Sequence, residues 1–260
     1  MLLRVCFMLL RVCFLSLALA SSLAAQPFEG PLVDTPPLTF TLRLPINPAP
    51  DQPRMTSRQW AEMGAVALTG VGHLAASEAG ISAAYIPVVI GGWGGYIGYR
   101  EATGEPFLRD LGFTSENLGP AFRDATILAG AATVGMIGIG AVQGTLRLEA
   151  DMLPLLVLYP AWGLTQQMLV QGMITRHLGD AGVSPYAVTP VSAVAFGSVH
   201  VPNWELTAAT TGLGLAYAEL YRRHENLWPL GIYHGVLGAE FYVWVLGRNP
   251  WEEMFGGEAP

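Results

Sequence analysis

Charge is scarce in this sequence. Only 13% of its 260 residues are Asp, Glu, Lys or Arg, whereas 52% are hydrophobic and the mean hydropathy is +0.40. An ordinary globular protein carries about a quarter charged residues, and here the apolar ones stand in long blocks separated by short charged loops. That pattern excludes an ordinary soluble domain and predicts a multi-pass membrane protein. Cysteine is nearly absent too: Cys6 and Cys13 are the only two, both near the N-terminus. If that segment is removed, no thiol, disulfide or cysteine metal site remains. No His-Glu-x-x-His occurs and no two histidines stand four apart, so the commonest zinc-protease signature is missing.

The first 25 residues open with the heptad Met-Leu-Leu-Arg-Val-Cys-Phe twice over, which makes Met8 a second possible start. Arg4 and Arg11, a short apolar stretch and the exit Ala20-Ser-Ser-Leu-Ala-Ala25 describe a signal peptide better than a spanning helix. An uncleaved anchor is the other reading. Residues 26–58 hold eight prolines, which remove backbone donors and block helix interiors. An extended extracytoplasmic lead-in is expected there, with one short strand over Leu38–Leu44. Residues 247–260 form an acidic tail.

Between these flanks the apolar blocks predict an all-α, polytopic membrane bundle of about six to seven transmembrane helices. The blocks are 80–99, 125–146, 152–174, 186–201, 205–221 and 228–246, with 61–76 as a weaker candidate because Glu62 and His73 interrupt it. Residues 59–106 read as N-terminal membrane helices, and 107–246 as the core. Gly91, Gly94, Gly95 and Gly98 form overlapping Gly-x-x-x-Gly pairs that would let another helix approach closely, and Gly130, Gly135, Gly140 and Gly144 space the next block similarly. If 80–99 is the first span, Arg100, Arg109, Arg123, Arg176, Arg222 and Arg223 fall on one side, with the lead-in and the tail on the other. If 61–76 also spans, that agreement fails, so six spans are preferred.

An amide or imidazole without a partner in hydrocarbon costs several kcal/mol, so such groups face the bundle interior. On a helix Gln167 and Gln171 share a face, while Gln166 points about 100° away. Phe196 and His200 are also four apart, and Pro202-Asn203-Trp204 should end that helix, leaving His200 near a break where water enters. His234 shares a face with Gly231 and Gly238. Glu205 and Glu219 sit near expected helix ends, and Glu240 lies off the His234 face. Two readings of the histidines stand on these residues alone: buried rings bonded to backbone or glutamine, or parts of a site. The glutamines are explained well by interhelical hydrogen bonds.

The order of these groups resembles the CPBP family of intramembrane proteases, named for CAAX and bacteriocin processing, which includes the Rce1-like enzymes. That family shows Glu-Glu-x-x-x-Arg, Phe-x-x-x-His and His-x-x-x-Asn on membrane helices. Here the second pattern stands intact as Phe196 to His200, followed by Pro202-Asn203. The third keeps its lead-in, Tyr217 to Tyr221, Arg222-Arg223, Leu227-Trp228-Pro229 and His234, but has Gly238 in place of asparagine. Arg109-Asp-Leu-Gly-Phe113 is similar to the loop preceding the family core, so the resemblance runs from about Leu108 to Leu246.

The first pattern aligns with Gln166, Gln167 and Gln171, glutamines where the family has two glutamates and an arginine. The resemblance implies that the first of these with His200 would activate a hydrolytic water, and that His234 with the residue at 238 would stabilise the oxyanion. Glutamine orients water but takes no proton at neutral pH, and loss of a general base removes roughly 10²–10⁴-fold of rate. Gly238 lacks one oxyanion donor, a loss on the order of 3 kcal/mol. The second and third glutamines would replace a buried ion pair by a hydrogen-bonded pair, Gln167 with Gln171. Zinc at His200 and His234 is not favoured, because catalytic zinc takes about three protein ligands and neutral amides are poor ones.

These residues predict an impaired or non-catalytic relative whose site positions Gln166, Gln167, His200 and His234, with Gln171, Asn203 and Gly238 beside them, bind a peptide, lipid or partner helix. The alternative is an active endopeptidase that uses His200, His234 and an acid outside the motif, Glu240 or Glu205. The partners expected are membrane lipid and a membrane peptide or protein, with no nucleic acid, and the bacterial cytoplasmic membrane is the expected location.

Overall fold

Proline, asparagine and glycine punctuate the chain where its helices begin and end. The computed structural model describes residues 55–148 and 152–249, and in these the chain is helical, with no strand. The expected signal peptide, the lead-in through residue 54 with its strand over 38–44, and the tail from residue 250 lie outside the described residues.

Helix α1 spans Ser57–Glu78 and opens on a reciprocal cap. The Gln59 amide N–H donates to Thr56 Oγ1 at 3.2 Å, and the Thr56 N–H donates to Gln59 Oε1 at 2.8 Å. Helix α2 spans Ser82–Ala102, α3 is the short Phe107–Asp110, and α4 spans Leu118–Gln143, ending on Gly144 in the left-handed region. Helix α5, Met152–Gln167, passes into a π-helical segment, Met168–Thr175, and on into α6, Arg176–Asp180. Helix α7, Pro185–Ser198, starts with proline in its first turn, where the missing N–H costs nothing. Helix α8, Trp204–His224, is capped by Asn203 Oδ1, which accepts from Leu206 N–H at 3.0 Å. Helix α9, Trp228–Glu240, continues as a π-helical turn over Phe241–Val245.

Helices α5 and α9 pack with their backbones in contact. A Cβ on Gly163 would lie 2.3 Å from the Gly231 carbonyl oxygen, and one on Gly235 would lie 2.3 Å from Pro160 N. Helices α7 and α8 meet the same way, at Gly214 against Ala193 Cα. The expected glycine ridge of α2 behaves differently. Nothing lies within 4 Å of a Cβ built on Gly91, Gly94, Gly95 or Gly98, and the same holds at Gly130, Gly135 and Gly144. The close helix approach expected at those pairs is therefore corrected. Helix α2 packs through its aromatic face instead, with Tyr85 Oη donating to Thr69 O and Trp93 Nε1 donating to Thr69 Oγ1 on α1. Of the α4 glycines, Gly140 does meet a neighbour, the Trp244 carbonyl.

One end of the bundle is tied by polar groups. Buried Glu62 on α1 accepts from Tyr96 Oη and Arg100 Nη1 on α2, and its other oxygen lies 2.6 Å from Nε2 of His177 on α6. Arg100 also reaches Glu105, which pairs with Arg58 at the start of α1. Arg58 therefore lies at the Arg100 end. This corrects the expectation that the last part of the lead-in, residues 55–58, stands opposite the arginine-bearing loops. The cause is that α1 runs antiparallel to α2 along its length, so Glu62 meets Arg100 and not bulk solvent. At the same end, Leu227 N–H donates to Gly112 O at 2.9 Å, Tyr221 Oη to Leu111 O at 2.9 Å, and Asn226 Nδ2 to Thr114 O at 2.8 Å. Gly112 has φ +103°, and a Cβ there would strike the Glu225 carbonyl at 2.8 Å, so both its torsion and its contact need glycine.

Leu118–Gln143 is one helix long and apolar enough to cross a membrane. Large apolar side chains on α2, α4 and α5 face outward, among them Val88 at 71% exposure, Val142 at 89% and Val157 at 74%.

Candidate functional site

The close contact of α5 and α9 brings Gln166 opposite His234. Nε2 of His234 lies 2.7 Å from Gln166 Oε1, so the ring donates through Nε2 to the amide oxygen. Its other nitrogen, Nδ1, is buried with no hydrogen-bond partner among the described residues. His200 sits in the turn between α7 and α8, where Pro202 and the Asn203 cap separate the two helices as expected. His200 Nδ1 lies 3.1 Å from the Phe196 carbonyl, one turn back, and 3.3 Å from Thr210 Oγ1. Donation from Nδ1 to that carbonyl leaves the lone pair on Nε2. The buried ring of Phe196 stands edge-on to both imidazoles, 5.6 Å from His200 and 5.0 Å from His234 between centroids. Such edge contacts between rings are favourable in their own right.

Gln166, His200, His234 and Gly238 line one cavity of about 290 Å³. Trp162 and Tyr159 of α5 form part of its wall, and a Cβ on Gly238 would lie 3.1 Å from the Tyr159 ring. The other expected positions are elsewhere. Asn203 is a helix cap outside the lining. Gln167 and Gln171 are fully buried and face away from the cavity. They do not pair with each other, which corrects that expectation. Gln171 Oε1 instead accepts from Thr175 Oγ1 at 2.7 Å, and Thr175 in turn lies 2.8 Å from Ser192 Oγ on α7. Gln171 Nε2 is left without a partner among the described residues. Both polar atoms of Gln167 are left without a partner among the described residues.

Neither acid considered as a replacement base reaches the cavity. Glu240 is buried and accepts from Thr133 Oγ1 at 2.6 Å, and Glu205 is exposed in the first turn of α8. No Asp, Glu, Lys or Arg lines the cavity among the described residues. His73 of α1 does line it, as do Ile86 of α2 and Thr210 of α8. His73 reads in the sequence only as an interruption of an apolar block. No local signal marks it, because its role is set by α1 packing beside the turn that carries His200; a Cβ on Gly70 would lie 3.1 Å from Val199 Cγ1.

A catalytic zinc does not fit these residues. No three His, Cys, Asp or Glu side chains are grouped to hold a metal among the described residues. Each ring keeps one lone pair, on Nδ1 of His234 and Nε2 of His200, but no third side chain is grouped with them among the described residues to complete the usual three protein ligands.

Residues 148–239 match the family model described as type II CAAX prenyl endopeptidase Rce1-like. This segment is similar to the CPBP family. The match covers α5 to α9 and includes Gln166, Gln167, Gln171, His200, His234 and Gly238. It does not include α1 to α4, so the Rce1-like segment supplies both edge-stacked histidines, while His73, Ile86, Ala132 and Met136 add cavity wall from outside it. No curated protein and no solved structure matches the chain.

Proposed function

We propose that this protein is a multi-pass membrane protein of the bacterial cytoplasmic membrane that keeps the cavity of an Rce1-like protease and uses it to bind a ligand without cutting peptide bonds. The observation that carries this reading is the Gln166–His234 hydrogen bond in a cavity lined by no carboxylate among the described residues. In the resembling enzymes the residue at 166 would take a proton from water. An amide has no such capacity at neutral pH, and its oxygen is here engaged by the ring that would otherwise face an oxyanion. Gly238 adds no side-chain donor, and the acids Glu205 and Glu240 stand outside the lining.

A membrane setting is supported by Leu118–Gln143 and by the outward apolar faces of α2, α4 and α5, which would form an aggregation-prone surface in water. On this reading α1, α2, α4, the α5 to α6 run, α7, α8 and α9 are the seven helices of the bundle, with ends that carry Arg100, Arg109, Arg176, Arg222 and Arg223 toward the cytoplasm.

The test is a cleavage assay on the full chain in phosphatidylcholine nanodiscs, with a prenylated CAAX peptide as substrate. No turnover above the empty-disc background is expected. Turnover that His200→Ala abolishes would overturn the non-catalytic reading.

A further inference from the structure

The cavity is specific in what it lacks. Among the described residues its polar side chains are His73, Gln166, His200, Thr210 and His234 together with Trp162 and two tyrosines, and none bears a fixed charge. A ligand ion placed there would lose its hydration and gain no counter-charge, which penalises anions and cations alike. The polar groups are also gathered: Gln166 bonds His234, and Thr210 lies beside His200. The rest of the wall is apolar, with Trp162, Met136, Leu213 and Phe241 supplying the largest surfaces.

Size bounds the occupant. The cavity holds about 290 Å³. At about 30 Å³ for each water-sized group, that space takes roughly ten such groups, the size of a short alkyl chain with its head.

We infer that the cavity bounded by Gln166, His200 and His234 binds a neutral, single-chain lipid of roughly ten carbons in the enclosed part, its uncharged hydroxyl or amide head at the histidines and its chain along Trp162 and Phe241. The inference rests on the reading of the cavity as a ligand site. It adds the ligand's class: one chain, one hydrogen-bonding head, no charge. Such a head can both accept from the Gln166 amide N–H₂ and donate to the free Nε2 lone pair of His200, which an ester-free hydrocarbon cannot do.

The experiment uses the full chain in phosphatidylcholine nanodiscs with a diazirine-bearing decanol as photoprobe. Labelling is read by mass spectrometry and competed by decanol, decyl sulfate and decyltrimethylammonium at matched bilayer concentrations. Label is expected on α5 and α9, with decanol competing at a concentration at least ten-fold lower than either ion. Ala209→Phe on α8 and Ala132→Phe on α4 each drive a ring into the cavity from a different helix, so a folding defect in one leaves the other decisive. Each is expected to cut labelling at least five-fold while the purified protein stays helical and monodisperse. Equal competition by decyl sulfate, or labelling unchanged in the folded variants, would overturn the inference. Peptide turnover in the cleavage assay would sink the non-catalytic reading alone, whereas loss of neutral-head selectivity would sink only the ligand class.

Discussion

Replacing Gly235 by alanine should pry α5 from α9, and the size of the effect can be worked from the contact. The new Cβ would lie 2.3 Å from Pro160 N and 2.5 Å from Pro160 Cα, where non-bonded carbon contacts settle at about 3.5 Å or more. The two helices must therefore separate by roughly 1 Å at this level. The Gln166–His234 hydrogen bond, now 2.7 Å, is made by the neighbouring residue and would lengthen past the useful range. Overpacking costs about 1–3 kcal/mol and the lost bond about 1 kcal/mol, offset by about 0.5–1 kcal/mol of alanine's helix preference over glycine. Net destabilisation of about 1–3 kcal/mol is expected. Gly91→Ala is the matched control, because nothing lies within 4 Å of its Cβ and only the helix-preference gain applies. The measurement is reversible unfolding by sodium dodecyl sulfate in mixed micelles, followed by tryptophan fluorescence. If Gly235→Ala unfolds at the wild-type midpoint, or Gly91→Ala loses as much stability as Gly235→Ala, the account of which glycines carry helix contacts is wrong.

The buried Glu62–Arg100 pair and the exposed Arg109–Glu116 pair should differ sharply in the same unfolding assay. Arg100→Ala leaves Glu62 charged and short of partners and should cost about 3–5 kcal/mol, whereas Arg109→Ala, at a side chain 69% exposed, should cost less than about 1 kcal/mol. Restoring the motif with Gln166→Glu, Gln167→Glu, Gln171→Arg and Gly238→Asn together should produce peptide cleavage where the parent shows none, a gain of about 10²–10⁴-fold for the base alone. A side chain added at Gly238 needs the Tyr159 ring to yield only slightly, since the Cβ contact is 3.1 Å. A folded quadruple variant with no turnover would show that more than the chemistry was lost.

Most helix boundaries were legible because the residues that set them act locally. Pro185, Asn203 and Pro229 each constrain their own turn, and α7, α8 and α9 begin within a few residues of the expected blocks. The convergence of Gln166, His200 and His234 was legible only through the family pattern, since nothing in their own neighbourhoods brings residues 166 and 234 together. Helix α1 was obscured for the opposite reason. Glu62 and His73 make its apolar run look broken, but Glu62 is met by Arg100 and His177, the latter 115 residues away, and His73 by the cavity. Small-residue spacing likewise states that a helix could approach, not that one does, so the α2 glycines stand open while a Cβ on Gly163 or Gly235 would meet the backbone of a neighbouring helix at 2.3 Å.

The clasp of Glu62 with Tyr96, Arg100 and His177 bears on how such a chain would be assembled during synthesis. Entering a bilayer alone, α1 would carry a carboxylate with nothing to meet it. Its first partners, Tyr96 and Arg100, emerge with α2, so the two helices would enter as a hairpin. The last partner, His177, emerges only after α4 and α5. Until then one carboxylate oxygen waits for its partner. The order of translation thus makes residue 177 the point at which the early hairpin becomes committed to the rest of the bundle.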